Sequence, residues 1–146
     1  MNEPPWIEVA AGLLFRDGRL LLAQRPEGAH LAGLWEFPGG KRADGETFPE
    51  CLRRELHEEL GITVVVEDCV FEEAHTYPER RVRLRFFRCR LLAGEPRGLE
   101  GQAIAWVRRE ELGAYRFPPA DELLVHRLAS APAWWHDASP SSEAGG

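Results

Sequence analysis

The alternation of apolar and polar positions along the 146-residue chain predicts strands and helices in mixed order. Two strand-like runs come first, and the Asp17-Gly18 pair between them is typical of a hairpin turn. A long Gly- and Pro-containing loop, a helix and four more runs follow, before a terminal helix of about ten residues near Asp121. The runs read WIEVAAGLLF, RLLLAQR, ITVVVED, VFEEAHTY, RVRLRFFRCRLL and AIAWV. This order predicts the α+β class, with a mixed β-sheet covered by α-helices.

The helix after the long loop is defined by signals at both of its ends. Thr47 and Glu50 have the spacing of a capping box, Pro49 suits a first helical turn, and Gly61 is a natural stop. The predicted helix therefore runs from about Phe48 to Leu60. Its leucines recur on one side, which is expected to face the core.

Three acidic residues lie at the border of that leucine face. Glu55, Glu58 and Glu59 fall within an arc of about 100°, where like charges repel, and more strongly when partly buried. A divalent cation would turn this repulsion into coordination, and Mg²⁺ suits carboxylate oxygens that it shares with a phosphate-bearing substrate. A solvated helix face explains the same residues. Gly39 and Gly40 in the preceding loop allow a ligand to approach the backbone closely, which favours a binding site.

Composition narrows the class of protein. The sequence is 44% hydrophobic and 29% charged, as in globular proteins, and its net charge of −6 argues against a polynucleotide-binding surface. Three widely spaced cysteines without a metal-binding pattern indicate a reduced, cytoplasmic compartment. No run approaches the roughly 18 apolar residues of a membrane span, and no signal peptide pattern opens the sequence.

One domain is predicted over residues 1–131, followed by a disordered polar tail over residues 132–146. Trp134 and Trp135 stand at this boundary. They are either the last packed residues or an exposed pair, and the sequence leaves both alternatives open.

The acidic helix and its loop together resemble the Nudix box, Gx5Ex7REUxEExGU, in which U is aliphatic. Every specified position is filled, by Gly40, Glu46, Arg54, Glu55, Leu56, Glu58, Glu59, Gly61 and Ile62. Flanking segments are similar to the MutT branch of this family, from about Val9 to Leu128. These segments are AHLAGLWEFPGGK, YPERRVRLRFF, GEPRGLEGQ and FPPADELL. The resemblance implies the Nudix fold, a mixed β-sheet sandwiched between α-helices.

The resemblance also implies an activity, the Mg²⁺-dependent hydrolysis of nucleoside triphosphates to a monophosphate and pyrophosphate, with Mn²⁺ as a possible substitute. The expected metal ligands are the Gly39 carbonyl, Glu55, Glu58, Glu59 and Glu100. Glu55 is the first choice as general base, with Glu58 and Glu100 as alternatives. Arg25 and Lys41 are expected to contact phosphates. A Nudix module that senses a nucleotide or damaged DNA without hydrolysis is the alternative outside the enzyme class.

Base recognition is assigned by likeness to His30, Phe37, Arg80 and Asp121. Related enzymes for oxidised guanine typically carry Asn at the last position, and an ionised Asp only accepts hydrogen bonds. The leading expectation is a MutT-like enzyme that clears 8-oxo-dGTP and so avoids mutation during DNA replication. CTP, oxidised dCTP and oxidised dATP are the alternative substrates. A monomer or weak dimer without polynucleotide or membrane partners is expected. Tyr77 is either part of the pocket rim or structural.

Overall fold

The structure is a computed structural model that describes residues 4–29 and 31–136. It contains seven strands, two α-helices and three short 3-10 helices within those residues. The strands are β1 (Trp6–Arg16), β2 (Arg19–Gln24), β3 (Trp35–Glu36), β4 (Gly39–Lys41), β5 (Thr63–Tyr77), β6 (Arg80–Ala93) and β7 (Ile104–Arg108). The helices are α1 (Phe48–Leu60) and α2 (Glu122–Ala129), and the 3-10 turns are Arg109–Ala114, Pro119–Asp121 and Pro132–Trp135.

The strands form one mixed sheet in the order β3-β2-β1-β6-β5, with β4 also paired to β1 and β7 to β2. Strands β1 and β6 run parallel, and the other pairs are antiparallel. The predicted mixed sheet is confirmed. The two runs expected between Ile62 and Tyr77 are one strand, β5. Its pairing with β6 shifts register around Cys69, so an irregularity of the kind produced by a β-bulge replaces the expected break.

Each α-helix covers its own face of the sheet. Leu52, Leu56 and Leu60 of α1 pack on Ala10, Leu14 and Leu21, while Leu124 and Leu128 of α2 pack with Leu13, Phe15 and Phe86. Alternate residues of β1 point to opposite faces, so this one strand contributes to both cores. The helix-covered sheet expected from the element order is therefore present.

Helix α1 has the predicted bounds and caps. The Thr47 hydroxyl accepts from the Glu50 N–H at 3.1 Å, and the Glu50 carboxylate accepts from the Thr47 N–H at 2.9 Å. Gly61 ends the helix in the left-handed conformation, at φ 72°. The terminal helix is shorter than predicted, because Pro119–Asp121 forms a 3-10 turn before α2 begins at Glu122.

The chain stays packed beyond the predicted boundary at residue 131. Pro132–Trp135 forms a 3-10 turn, and the Trp135 side chain is 5% exposed in the core that contains α2. The disordered tail predicted over residues 132–146 therefore does not begin at residue 132, because the large apolar ring of Trp135 is buried in this core. Residues 137–146 lie outside the described part of the chain. None of the described helices is long and apolar enough to cross a membrane.

Candidate active site

The acidic edge of α1 lies directly under strand β4. A Cβ atom placed on Gly40 would come within 2.3 Å of the Glu55 carboxyl carbon, so only glycine leaves room for this carboxylate. Register fixes the position of β4, because Gly40 pairs with Ala10 of β1. The glycine pair of the loop thus brings backbone and carboxylate together.

Glu55 and Glu59 form the centre of the acidic edge. Burial raises the pKa of Glu59 to about 9, with further contributions from its hydrogen bond to Glu55 and from the charges of Glu55, Glu100 and Glu36. A hydrogen bond between two carboxyl groups requires a proton on one of them. Without a cation, the Glu55–Glu59 pair therefore holds a shared proton near neutral pH.

Arg54 holds the remaining acids of the box. Its guanidinium donates to Glu46 at 2.6 Å, and to Glu55 and Glu58 at 3.2 Å each. The hydrogen bond from Arg54 is the largest cause that lowers the pKa of Glu46, to about 2. Glu58 keeps 53% of its side chain exposed and faces Arg54. Glu46, which follows Gly40 in the box, thus anchors the arginine.

Glu100 approaches the same edge on the loop before β7. The Glu59 carbonyl accepts from the Leu99 N–H at 3.0 Å and from the Gln102 side chain at 3.2 Å. The Gln102 amide oxygen in turn accepts from the Glu100 N–H at 2.9 Å. This loop is docked on the end of α1, which explains why Glu59 senses the charge of Glu100.

The five predicted metal ligands do not converge completely. In the part of the chain that the structure describes, no three Asp, Glu, His or Cys side chains form a ready metal-binding group. Glu58 faces Arg54, and Glu100 is exposed. The Glu55–Glu59 pair nevertheless fits a divalent cation, because two partly buried carboxyl groups in contact are the donors that such an ion prefers.

An open cavity of about 250 Å³ adjoins this acidic edge. Its apolar walls come from β1, β6 and three connecting segments, and consist of Ile7, Val9, Ala11, Leu31, Phe37, Val82, Leu84, Phe86, Pro118 and Ala120. Its other lining residues are Arg25, Glu36, Gly39, Gly40, Lys41, Tyr77, Arg80 and Asp121. Gly39 and Gly40 therefore join the acidic edge to an apolar cavity.

Among residues 4–29 and 31–136, Asp121 is the one charged or polar residue that is buried, and it is 5% exposed. Burial raises its pKa to about 7, the charge of Glu36 adds to this increase, and Arg25 opposes it. Arg25 forms an ion pair with Glu36 at 2.5 Å. Near neutral pH the Asp121 carboxyl group is therefore divided between a form that only accepts hydrogen bonds and one that also donates.

The cavity brings together six predicted residues, namely Arg25, Phe37, Gly39, Lys41, Arg80 and Asp121. His30 lies outside the described residues. The sequence reasoning missed Glu36, and it left the position of Tyr77 open. Glu36 carried a signal, since it is a lone acid between two aromatic residues in the segment LWEFPGG.

The sequence and the fold are similar to those of known proteins. A model of the NUDIX domain matches residues 10–127. An 8-oxo-dGTP diphosphatase of Haemophilus influenzae is 42% identical, over 84% of this chain and 90% of the relative. A CTP pyrophosphohydrolase of Escherichia coli is 41% identical, over 79% of this chain and 85% of the relative. The solution structure of the E. coli ORF135 protein superimposes with a TM-score of 0.75 at 36% identity, covering 93% of this chain and 96% of that protein.

The raised pKa of Asp121 predicts how stability depends on pH. Between its ordinary value of 3.8 and about 7, the folded protein binds a proton that the unfolded chain has released. The free energy of unfolding therefore falls as pH rises through this window, by at most about 4 kcal/mol from this group. Asp121→Asn removes this loss, so the variant gains stability relative to the wild type between pH 4 and 7.

Urea unfolding of both proteins at pH 4.5, 6 and 7.5 measures the effect. Asp68→Asn, which changes an exposed acid on β5, is the matched control, and the pH-dependent change in stability is expected to be larger for Asp121→Asn than for this control. A stability difference between the wild type and Asp121→Asn that does not change with pH contradicts the prediction.

Proposed function

The chain belongs to the Nudix hydrolase family, and from this premise we propose that it is a Mg²⁺-dependent nucleoside triphosphate pyrophosphohydrolase that removes 8-oxo-dGTP. The observation that carries the proposal is the close approach of the Glu55 carboxylate, the hydrogen-bond partner of Glu59, to Gly40 at the edge of the apolar cavity. The carboxyl groups proposed to hold the metal ion, which in turn would bind the phosphates, thus lie next to a cavity that can take a base. The names of the relatives, an 8-oxo-dGTP diphosphatase and a CTP pyrophosphohydrolase, support the substrate class.

Nudix hydrolases generally need a divalent metal ion, and Glu55 and Glu59 are the side chains proposed to hold Mg²⁺. The ion offsets the charge of the triphosphate and orients it. Glu58 and Glu100 are proposed to reach the ion after leaving their present positions, beside Arg54 and in an exposed loop. The Gly39 carbonyl completes the proposed ligand set.

In the proposed reaction a water molecule attacks the β-phosphorus, and the bond from that phosphorus to the oxygen of the α-phosphate breaks. Nucleoside monophosphate and pyrophosphate leave, and Glu55 accepts the proton of the water. Among the three candidate bases, Glu55 is favoured by its contact with Gly40 at the mouth of the cavity. Arg25 and Lys41, which line the cavity, are proposed to contact the phosphates.

Asp121 is proposed to read the base. In its protonated form the carboxyl group both donates and accepts hydrogen bonds, as an Asn amide does. Its pKa of about 7 keeps this form substantially populated at neutral pH, which supports an oxidised guanine as the substrate despite the change from Asn. Phe37 and Arg80 are proposed to supply an apolar face and a polar contact. The carboxylate form favours the second candidate, a CTP-type or oxidised-adenine substrate.

We propose that the protein acts on free nucleotides in the cytoplasm. We also propose that it is a monomer or weak dimer and that it binds no polynucleotide. A protein in this role prevents incorporation of the oxidised base during DNA replication.

A panel of triphosphates tests the proposed substrate. We expect kcat/KM for 8-oxo-dGTP to exceed the values for dGTP, CTP and dATP by at least about tenfold, which corresponds to about 1.4 kcal/mol, or one good hydrogen bond. Release of pyrophosphate is the measurement. A CTP value equal to or above that of 8-oxo-dGTP replaces the substrate assignment, and no release from any triphosphate favours the nucleotide-sensing module.

The metal assignment predicts opposite effects of Glu59→Gln on stability and activity. Gln has the shape of the protonated acid, so the metal-free variant is expected to unfold at a temperature equal to or above that of the wild type. Turnover with Mg²⁺ is expected to fall by at least roughly tenfold, the lower end of losses seen when a metal site loses a partner group. Thermal unfolding and pyrophosphate release are measured on the same samples. Asp68→Asn is the control, and full turnover by Glu59→Gln contradicts the assignment.

Alanine substitutions at Gly39 and Gly40 are expected to have different effects, one on stability and the other on turnover. The atoms nearest to the added methyl of Gly40→Ala belong to the end of the Glu55 side chain, which can move, so the variant is expected to fold and to lose turnover. The methyl of Gly39→Ala would lie 2.0 Å from the Ala10 carbonyl oxygen, a backbone atom, and is expected to destabilise the protein. Unfolding and turnover are measured for both variants. Normal turnover in a folded Gly40→Ala protein contradicts the proposed role of Glu55.

A further inference from the structure

The last described turn of the chain holds the C-terminal end of α2. We call residues 132–136 the C-terminal latch. The Trp135 indole N–H donates to the Leu128 carbonyl at 2.9 Å, and its ring packs edge-on against Phe15 with centroids 5.3 Å apart. The match to the family model ends at residue 127, so the latch is outside the part of the chain that the family model covers.

Arg88 of β6 fastens the latch to the sheet. Its guanidinium lies over the Phe15 ring at 4.7 Å, and it donates to the carbonyls of Trp134 at 2.8 Å and His136 at 2.6 Å. The contacts to both carbonyls involve backbone atoms, so they fix the path of the chain rather than one side chain. The latch is thus tied to β6 and β1, as well as to α2.

Helix α2 depends on such contacts because it has only eight residues. Isolated helices of this length are unstable in water, so packing and end contacts decide its position. The carbonyls of its last turn lack partners within the helix. Trp135 donates to one of them, and Arg109 donates to the Ala129 carbonyl at 2.6 Å. The C-terminal end is therefore held by side chains from outside the helix.

The N-terminal end of α2 carries base recognition in the proposed function. Pro118, Ala120 and Asp121 line the cavity, and α2 begins at the next residue. A rigid helix transmits displacement of one end to the other. We propose that Trp135 is a positioning residue, which holds Asp121 in the cavity through α2 and thereby sets the selectivity for the base. This inference rests on the proposed function.

The test uses Trp135→Ala in the full chain, with Leu123→Ala as the matched control. Leu123 belongs to the same helix but is 61% exposed and is not among the residues packed in the core that contains Trp135. We expect Trp135→Ala to raise KM for 8-oxo-dGTP by about tenfold and to lower the preference over dGTP, because small misplacement of a binding group is costly. The expected change in kcat is less than about twofold, since the acid pair on α1 is untouched. Leu123→Ala is expected to keep the wild-type KM.

A purely structural role for Trp135 predicts a different pattern. Loss of folded protein lowers apparent kcat, but it leaves KM and base preference unchanged. Trp135→Phe retains a ring against Phe15 and removes the indole donor, and Arg88→Ala releases the latch carbonyls. Both are expected to give intermediate KM values. If Trp135→Ala does not fold, these two variants decide, and wild-type KM and preference in both overturn the proposal.

A second readout is independent of activity. The carboxyl pKa of Asp121, measured by ¹³C NMR, is expected to fall in Trp135→Phe and Arg88→Ala, because a loosened α2 admits water to the carboxyl group. An unchanged pKa in both variants overturns the latch proposal even if no triphosphate is hydrolysed. Inactivity of the wild type alone contradicts only the proposed function.

Discussion

Carboxyl groups crowded into one partly buried region are the constraint around which this protein is built. Glu55 and Glu59 share a hydrogen bond, and Glu36 and Asp121 lie close enough for their charges to be felt. Water screens the repulsion between charges only weakly at partly buried positions, so each carboxylate makes the ionisation of its neighbours more difficult. The fold keeps these groups together, so their charge has to be offset by protons, arginines or a bound cation.

Two arginines divide this task. Arg54 donates hydrogen bonds to three acids of the Nudix box, Glu46, Glu55 and Glu58. Glu59 is hydrogen-bonded to Glu55, and Arg25 pairs with Glu36 beside the cavity. Arg25 only partly offsets the increase in the pKa of Asp121, and Glu59 and Asp121 have the largest increases in pKa among the described carboxyl groups. These two acids are the ones assigned in the proposed function to the metal and to the base. The arginines therefore leave these acids to be neutralised by a proton or by a ligand.

Local patterns in the sequence predicted most of the fold. Helix α1 was predicted with its bounds because capping and stop signals involve residues within a few positions of each other. The continuity of β5 was not predicted, because a β-bulge is decided by the partner strand, which is distant in sequence. The burial of Trp135 was equally inaccessible, since its partners Phe15 and Leu128 come together only in the folded protein.

The candidate site divides in the same way. The box residues and most of the cavity were assigned from motifs, and the cavity does gather six of the predicted residues. The motifs did not specify which acidic side chains are in contact with each other. Glu58, predicted as a metal ligand, faces Arg54, a contact that their i,i+4 spacing favours. Glu36 was overlooked, although it lines the cavity and its charge acts on both Glu59 and Asp121. Motifs specify residue types and spacing, whereas side-chain direction depends on competing ion pairs.

In the proposed function, the two helices separate the chemistry from the recognition of the base. Helix α1 packs in one core with the acid pair at its edge, and α2 packs in the other with Asp121 at its start. Substitutions in the second core can therefore move the base-reading group without disturbing the first. Glu36 limits this independence, because its charge raises the pKa of both Glu59 and Asp121. Loss of the Glu36 charge would therefore make both Glu59 and Asp121 easier to ionise, so this acid links the two halves of the site electrostatically.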